Sequence, residues 1–120
     1  MATQDTCVTI HPYFKVSEGN LEAFRGLCEQ FVSRTSKEPK CLYYGFSFRG
    51  DEVFCREGYE GAAGLLAHLD NVGDLIAEAL KLSAITRLEV HGVEGELAKL
   101  REPLANLDPL YFTIEYGMRR

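Results

Sequence analysis

Apolar and polar residues alternate from Val8 to Val16, with Val8, Ile10, Phe14 and Val16 on one side and Thr9, His11, Tyr13 and Lys15 on the other. A period of two predicts a strand with one buried face. Pro12 has no N–H to donate to a ladder, so a bulge or an unpaired stretch is expected late in this strand. The period then changes. After the turn Ser17-Glu-Gly-Asn20, the residues Leu21, Phe24, Leu27, Cys28, Phe31 and Val32 recur at steps of three and four. That spacing predicts an amphipathic helix, with Asn20 as its N-cap and Glu22 favouring its dipole. The helix should fade through Ser33–Lys37, because Pro39 disfavours helical geometry in the residue before it.

Two runs rich in aromatic and β-branched residues follow, Leu42–Phe48 and Val53–Tyr59. The connection Arg49-Gly-Asp-Glu52 is of the kind that closes a hairpin, so an antiparallel pair is expected. From Gly61 to about Leu82, Ala62, Leu65, Leu66, Leu69, Val72, Ile76 and Leu80 return to helical spacing. Asp70-Asn71 and Gly73 interrupt that run, which predicts one kinked helix or two in succession. Ile85–His91 reads as a fourth strand ending at Gly92. Beyond it, Glu94–Arg101 predicts a short helix ended or kinked at Glu102-Pro103. Asn106-Leu-Asp-Pro109 is a turn, and Tyr111–Tyr116 is a fifth strand.

The order strand–helix–strand–strand–helix–strand defines an α+β class, a ferredoxin-like βαββαβ layer with an antiparallel sheet and both helices on one face. Residues 1–120 form one domain, with its core at 7–93 and a C-terminal extension at 94–120. One sheet face is left open, and an exposed apolar face is usually covered by self-association. A homodimer is therefore expected. The extension would pack on the partner subunit or exchange with it, its fifth strand covering a sheet edge.

Composition narrows the partners. Hydrophobic residues make up 46% of the chain, enough for a core, while no apolar run approaches the roughly 20 residues of a membrane span. The opening Met-Ala-Thr-Gln-Asp-Thr is neither basic nor greasy, so a cytoplasmic location is expected. A net charge of −5 argues against a broad phosphate-binding surface, and no nucleic-acid partner is expected. Basic residues concentrate only at Arg119–Arg120 and at Lys37 and Lys40, positions that suit a solvated terminus and a helix C-terminus. Cys7, Cys28, Cys41 and Cys55 form no C-x-x-C pair and lie far from the histidines, so free thiols are expected and no zinc site. His11 and His91 fall on strands expected to be neighbours, but two histidines without a third ligand do not make a metal centre.

The candidate chemistry lies around the third strand and second helix. Glu57-Gly-Tyr59 ends the strand, and Ala67-His68-Leu69 follows in the helix. A glutamate, one residue, a tyrosine and then a histidine in the next helix is an arrangement that resembles the antibiotic-biosynthesis monooxygenase family. That family belongs to the dimeric α/β-barrel proteins and includes quinol-monooxygenase-like members. The likeness covers about residues 7–93. It implies a cofactor-free, metal-free oxidation of a small phenolic or quinol-type substrate by dioxygen, in a homodimer. Such chemistry needs a base to form the phenolate and a dry pocket to hold a planar ring.

His68 is the implied base, Glu57 the carboxylate that orients it, and Tyr59 the third member of the implied catalytic set; Tyr44, His11 and Phe24 are candidates for binding the substrate. Strand alternation places Glu57 and Tyr59 on the face of Val53 and Cys55. At 100° per residue, His68 lies roughly 90° from the centre of the apolar stripe, at the edge of the core face. Two departures from the family bear on the chemistry. The second histidine that many members carry would fall near Val72-Gly73. The chain also contains no tryptophan, which argues against the haem-degrading branch. Other readings are a non-catalytic dimer that holds a small apolar ligand, and a dimerisation module whose pocket is filled by its own side chains.

Overall fold

The computed structural model describes residues 3–120. Five strands and three helices follow in the order β1 (Cys7–Val16), α1 (Leu21–Thr35), β2 (Cys41–Arg49), β3 (Glu52–Glu60), α2 (Gly61–Leu82), β4 (Ser83–Gly92), α3 (Glu94–Leu97) and β5 (Leu110–Thr113). They form one sheet in the order β2-β3-β1-β4-β5. The first four strands pair antiparallel, in the ferredoxin-like arrangement expected. β5 runs parallel to β4, so the sheet is mixed rather than wholly antiparallel.

The irregularity expected near Pro12 is present. The β1–β4 register shifts between Tyr13 and Phe14. The shift moves the inward positions of β4 from the Leu88 side to Ile85, which keeps apolar groups facing the helices. Asn20 precedes α1, but its side chain makes no capping hydrogen bond. The stretch expected to form one kinked helix or two in succession is a single helix from Gly61 to Leu82. Asn71 explains part of this, because its side chain bonds outward to Arg34 and Glu38 instead of competing with the helix backbone. Beyond β4 only Glu94–Leu97 is helical, and turns continue to Leu107, so the short helix ends before Arg101.

Two apolar clusters lie between the helices and the sheet. One gathers Phe24, Cys28, Phe31, Val53, Val72 and Leu75 between α1, α2 and the middle strands. The other gathers Val8, Ile10, Tyr59, Leu65 and Val90 with Leu97, Leu100 and Leu104. Those three leucines are almost wholly buried, and each contributes roughly 1.5–3 kcal/mol by leaving water. The C-terminal extension thus packs on its own domain. The four cysteines are free thiols.

The opposite sheet face carries no helix. His11, Tyr13, Phe54, His91 and Phe112 meet there, with the His11 and His91 rings 4.5 Å apart and His91 stacked on Phe112 at 4.7 Å. Among the described residues, no helix is long and apolar enough to cross a membrane.

Candidate active site

Helix α2 sets the site. Ala62, Leu65, His68, Val72, Leu75 and Ala79 form its buried stripe, while Leu69 and Ile76 are half-buried and Leu80 is exposed. The core face is thus turned toward His68 relative to the stripe Leu65–Leu69–Val72–Ile76–Leu80. The helix is closely packed at its N-terminal end. There Gly64 lies so close to Tyr59 and Lys40 that an added Cβ would stand 3.0 Å from Tyr59 Cβ and 3.2 Å from the Lys40 carbonyl oxygen. This close approach seats the helix against the end of β3.

His68 is only 2% exposed, so it is a core residue and not one at the edge of the core face. Both ring nitrogens face carboxyl groups. Nδ1 is 2.9 Å from Glu38 Oε2, and Nε2 is 3.4 Å from Glu57 Oε1. The ring sits between Tyr44 and Tyr59, at centroid distances of 5.1 and 5.0 Å. Tyr59 donates its hydroxyl to Glu57 Oε1 at 2.5 Å. Glu57, 5% exposed, shares the inward face of β3 with Val53, Cys55 and Tyr59.

Glu38 is the member that the chain pattern did not reveal. It sits between α1 and β2, next to Pro39, and its Oε2 also accepts from Asn71 Nδ2 at 2.7 Å. Asn71 in turn donates to the Arg34 carbonyl at 3.3 Å, tying the loop to both helices. Glu57, expected to orient His68, is the more distant of the two carboxyls. The hydrogen bond that fixes the ring is to Glu38. A signal existed only in three dimensions: a buried imidazole needs a partner at each nitrogen, and β3 supplies one.

Burial governs the protonation states. Desolvation pushes the Glu57 carboxyl up to about 7; the Tyr59 and Cys55 hydrogen bonds oppose this, and the nearby Glu38 charge adds to it. The same desolvation pulls His68 below its ordinary value, against the attraction of Glu38. Burial first and the Glu57 charge second push the Tyr44 and Tyr59 hydroxyls and the Cys55 thiol upward, so all three stay protonated. A neutral His68 that donates Nδ1–H to Glu38 presents the bare lone pair of Nε2 to Glu57. One proton can then reside on Glu57 or on Nε2, and the site can give or take it.

An apolar cavity of about 80 Å³ opens beside this set. Glu57, His68 and Tyr44 stand at its polar end, and Phe14, Phe24, Phe31 and Phe46 form much of the wall. Tyr44 and Phe24 both line this cavity. Tyr59 stands behind Glu57, in the core. His11 does not belong here: strand alternation turns it to the open face, against His91 and Phe54, and Thr9 bonds its ring at 2.7 Å. Among the described residues, no set of three or more His, Cys, Asp or Glu side chains is arranged to hold a metal ion.

A ferredoxin-like layer with two long helices over one face of the sheet is the fold of the antibiotic biosynthesis monooxygenases. Among solved structures, one of that name matches with a TM-score of 0.61 at 16% identity, covering 69% of this chain and 92% of its own. Rv0793 from Mycobacterium tuberculosis matches at 0.63 and 22% identity, covering 70% of this chain and 91% of its own. MupZ from Pseudomonas fluorescens matches at 0.95 and 48% identity, over 100% of this chain and 94% of its own. The chain belongs to the same family as MupZ. No family model and no curated protein matches it.

Proposed function

We propose that this protein is a cofactor-independent oxygenase that acts on a small phenolic or quinol-type substrate. The observation that carries the reading is His68, fixed through Nδ1 by Glu38 while Nε2 faces Glu57 at the end of an apolar cavity. In this geometry Nε2 accepts the phenolic proton, and the resulting phenolate is the better electron donor to dioxygen. The imidazolium so formed is stabilised by the Glu38 carboxylate. The phenylalanine wall keeps water from the reactive intermediates. Oxygen uptake on a panel of hydroquinones and anthrone-like compounds tests the reading. Uptake by the wild type that is lost in His68→Ala supports it, and absence of uptake on every compound contradicts it.

A second reading follows from the Glu57 carboxyl, which burial raises to about 7, so that a neutral form persists well above the ordinary carboxylate range. A neutral buried acid protonates an oxygen of the substrate, assisting addition or loss at the neighbouring carbon without any dioxygen. Turnover in anaerobic buffer that is lost in Glu57→Gln would favour this reading over the first. Under both, the working unit we infer is a homodimer joined through the open sheet face. The apolar and aromatic groups there, Tyr13, Phe54 and Phe112, support it.

A further inference from the structure

The cavity has a direction. Its lining runs across the sheet from Tyr44 on β2 and Glu57 on β3, past Ile10 and Pro12 on β1, to Ile85 and Leu88 on β4. From β3 to β4 is two strand spacings, or about 10 Å. All the polar chemistry sits at the β2–β3 end, and the β4 end is wholly aliphatic. One lining residue comes from outside the four strands and two long helices. It is Leu107, in the turns between α3 and β5.

Leu107 is held from both sides along the backbone, while its side chain stays half-exposed. Leu104 and Pro109 are buried on either side of it, and the Leu107 and Asp108 amides both bond to the Leu104 carbonyl, at 2.9 and 3.2 Å. Asp108 takes φ +46°, a left-handed conformation that turns the chain back toward β5. Leu107 is nevertheless 44% exposed, unusual for a leucine on a cavity wall. The enclosed volume of about 80 Å³ is well below the roughly 300–1,000 Å³ of ordinary small-molecule sites. An occupant longer than a single ring must therefore extend past the β4 end, where this side chain stands. The segment is shared with MupZ, whose match spans the whole chain. The two fold neighbours match only about as much chain as β1 to β4 holds.

We infer that Leu107 is the gate of the substrate pocket and sets substrate length, the preferred substrate being a molecule with one ionisable oxygen at Glu57 and His68 and an apolar body directed along the sheet toward β4. This rests on the site read above as the place where substrate binds. A polar group at the far end of the substrate would meet only Ile85, Leu88 and Leu107 and would lose its hydrogen bonds there.

The test is binding of a 4-alkylphenol series of rising chain length to the full-length protein, with Leu107→Ala and Leu107→Trp beside the wild type. Leu107 is half-exposed, and melting curves confirm that each variant folds. Affinity should rise about fourfold per added methylene until the chain meets the gate, and then level off. Leu107→Ala should move that plateau to longer chains and Leu107→Trp to shorter ones, with the shortest phenol bound equally by all three proteins. Binding of the series with the same plateau in every variant overturns the gate and leaves the site reading intact. A wild type that binds no member of the series overturns both.

Discussion

His68 Nδ1 and Glu38 Oε2 lie 2.9 Å apart, joining the second helix to the loop that precedes β2. This bond decides which nitrogen of the imidazole is free. Glu38→Gln keeps a side chain of the same shape but removes the charge that holds the Nδ1–H tautomer. We expect nitrogen NMR of the imidazole to show loss of the single Nδ1–H form, and turnover to fall on the order of 10²-fold, as for loss of an orienting group in general acid–base catalysis. A variant with the wild-type tautomer and wild-type activity would show that Glu38 is only a packing residue.

Glu57 should leave a pH signature on stability. Its folded-state value is raised from 4.5 to about 7, so the folded chain binds this proton more tightly than the unfolded chain. The contribution is therefore fully present below about pH 4.5 and is lost as pH rises through about 7. His68, whose value is lowered, works in the opposite sense: it removes stability as pH falls below its ordinary value. The difference between wild type and Glu57→Gln isolates the carboxyl. In urea melts, the wild type should lose stability relative to the variant between pH 5 and pH 8, which a parallel pair of curves would contradict.

Tyr59→Phe removes the hydroxyl that donates to Glu57 at 2.5 Å. The lost bond lowered the carboxyl's value, so the Glu57 titration should move still higher. Stability at pH 8 should drop by about 1–3 kcal/mol, because the buried carboxylate loses a donor, and the drop should shrink at pH 5, where the carboxyl is neutral. Equal losses at the two pH values would mean that the hydroxyl serves packing alone.

Gly64→Ala tests how α2 is seated. The added Cβ would fall 3.0 Å from Tyr59 Cβ, 3.1 Å from Lys40 Cβ and 3.2 Å from the Lys40 carbonyl oxygen, and all three of those neighbours belong to or adjoin backbone. Relief requires the helix to move off the strand, at a cost of about 1–3 kcal/mol in thermal or urea melts. Gly73 has open space around it, and Gly73→Ala is expected to stabilise by a few tenths to 1 kcal/mol through helix propensity. The opposite signs of the two substitutions are the prediction.

The fold was legible because its determinants are local. The alternation through Val8–Val16, the hairpin at Arg49–Glu52 and the three-and-four spacing from Leu21 each specify an element and its buried face, and their order leaves few topologies open. The continuity of α2 was not legible, since Asn71 and Gly73 read as breakers until Asn71 is seen bonding across to α1. Glu57, Tyr59 and His68 could be named because strand alternation and the family's spacing converge on them. Glu38 could not, because its role depends on a loop brought against a helix from 30 residues away. His11 was misplaced for a related reason: it lies on β1, whose other face does border the cavity, and only alternation separates the two sides.

The claim on which the rest depends is that Glu57 and His68 exchange a proton with an oxygen of a molecule held in the apolar cavity. Binding of 4-nitrophenol tests it most directly, because the absorption of this phenol reports its own ionisation. The account predicts that the protein binds it and shifts its ionisation from the value in free solution, and that His68→Ala abolishes the shift while binding persists. Unshifted ionisation in the wild type, or an identical shift in the variant, would contradict the account.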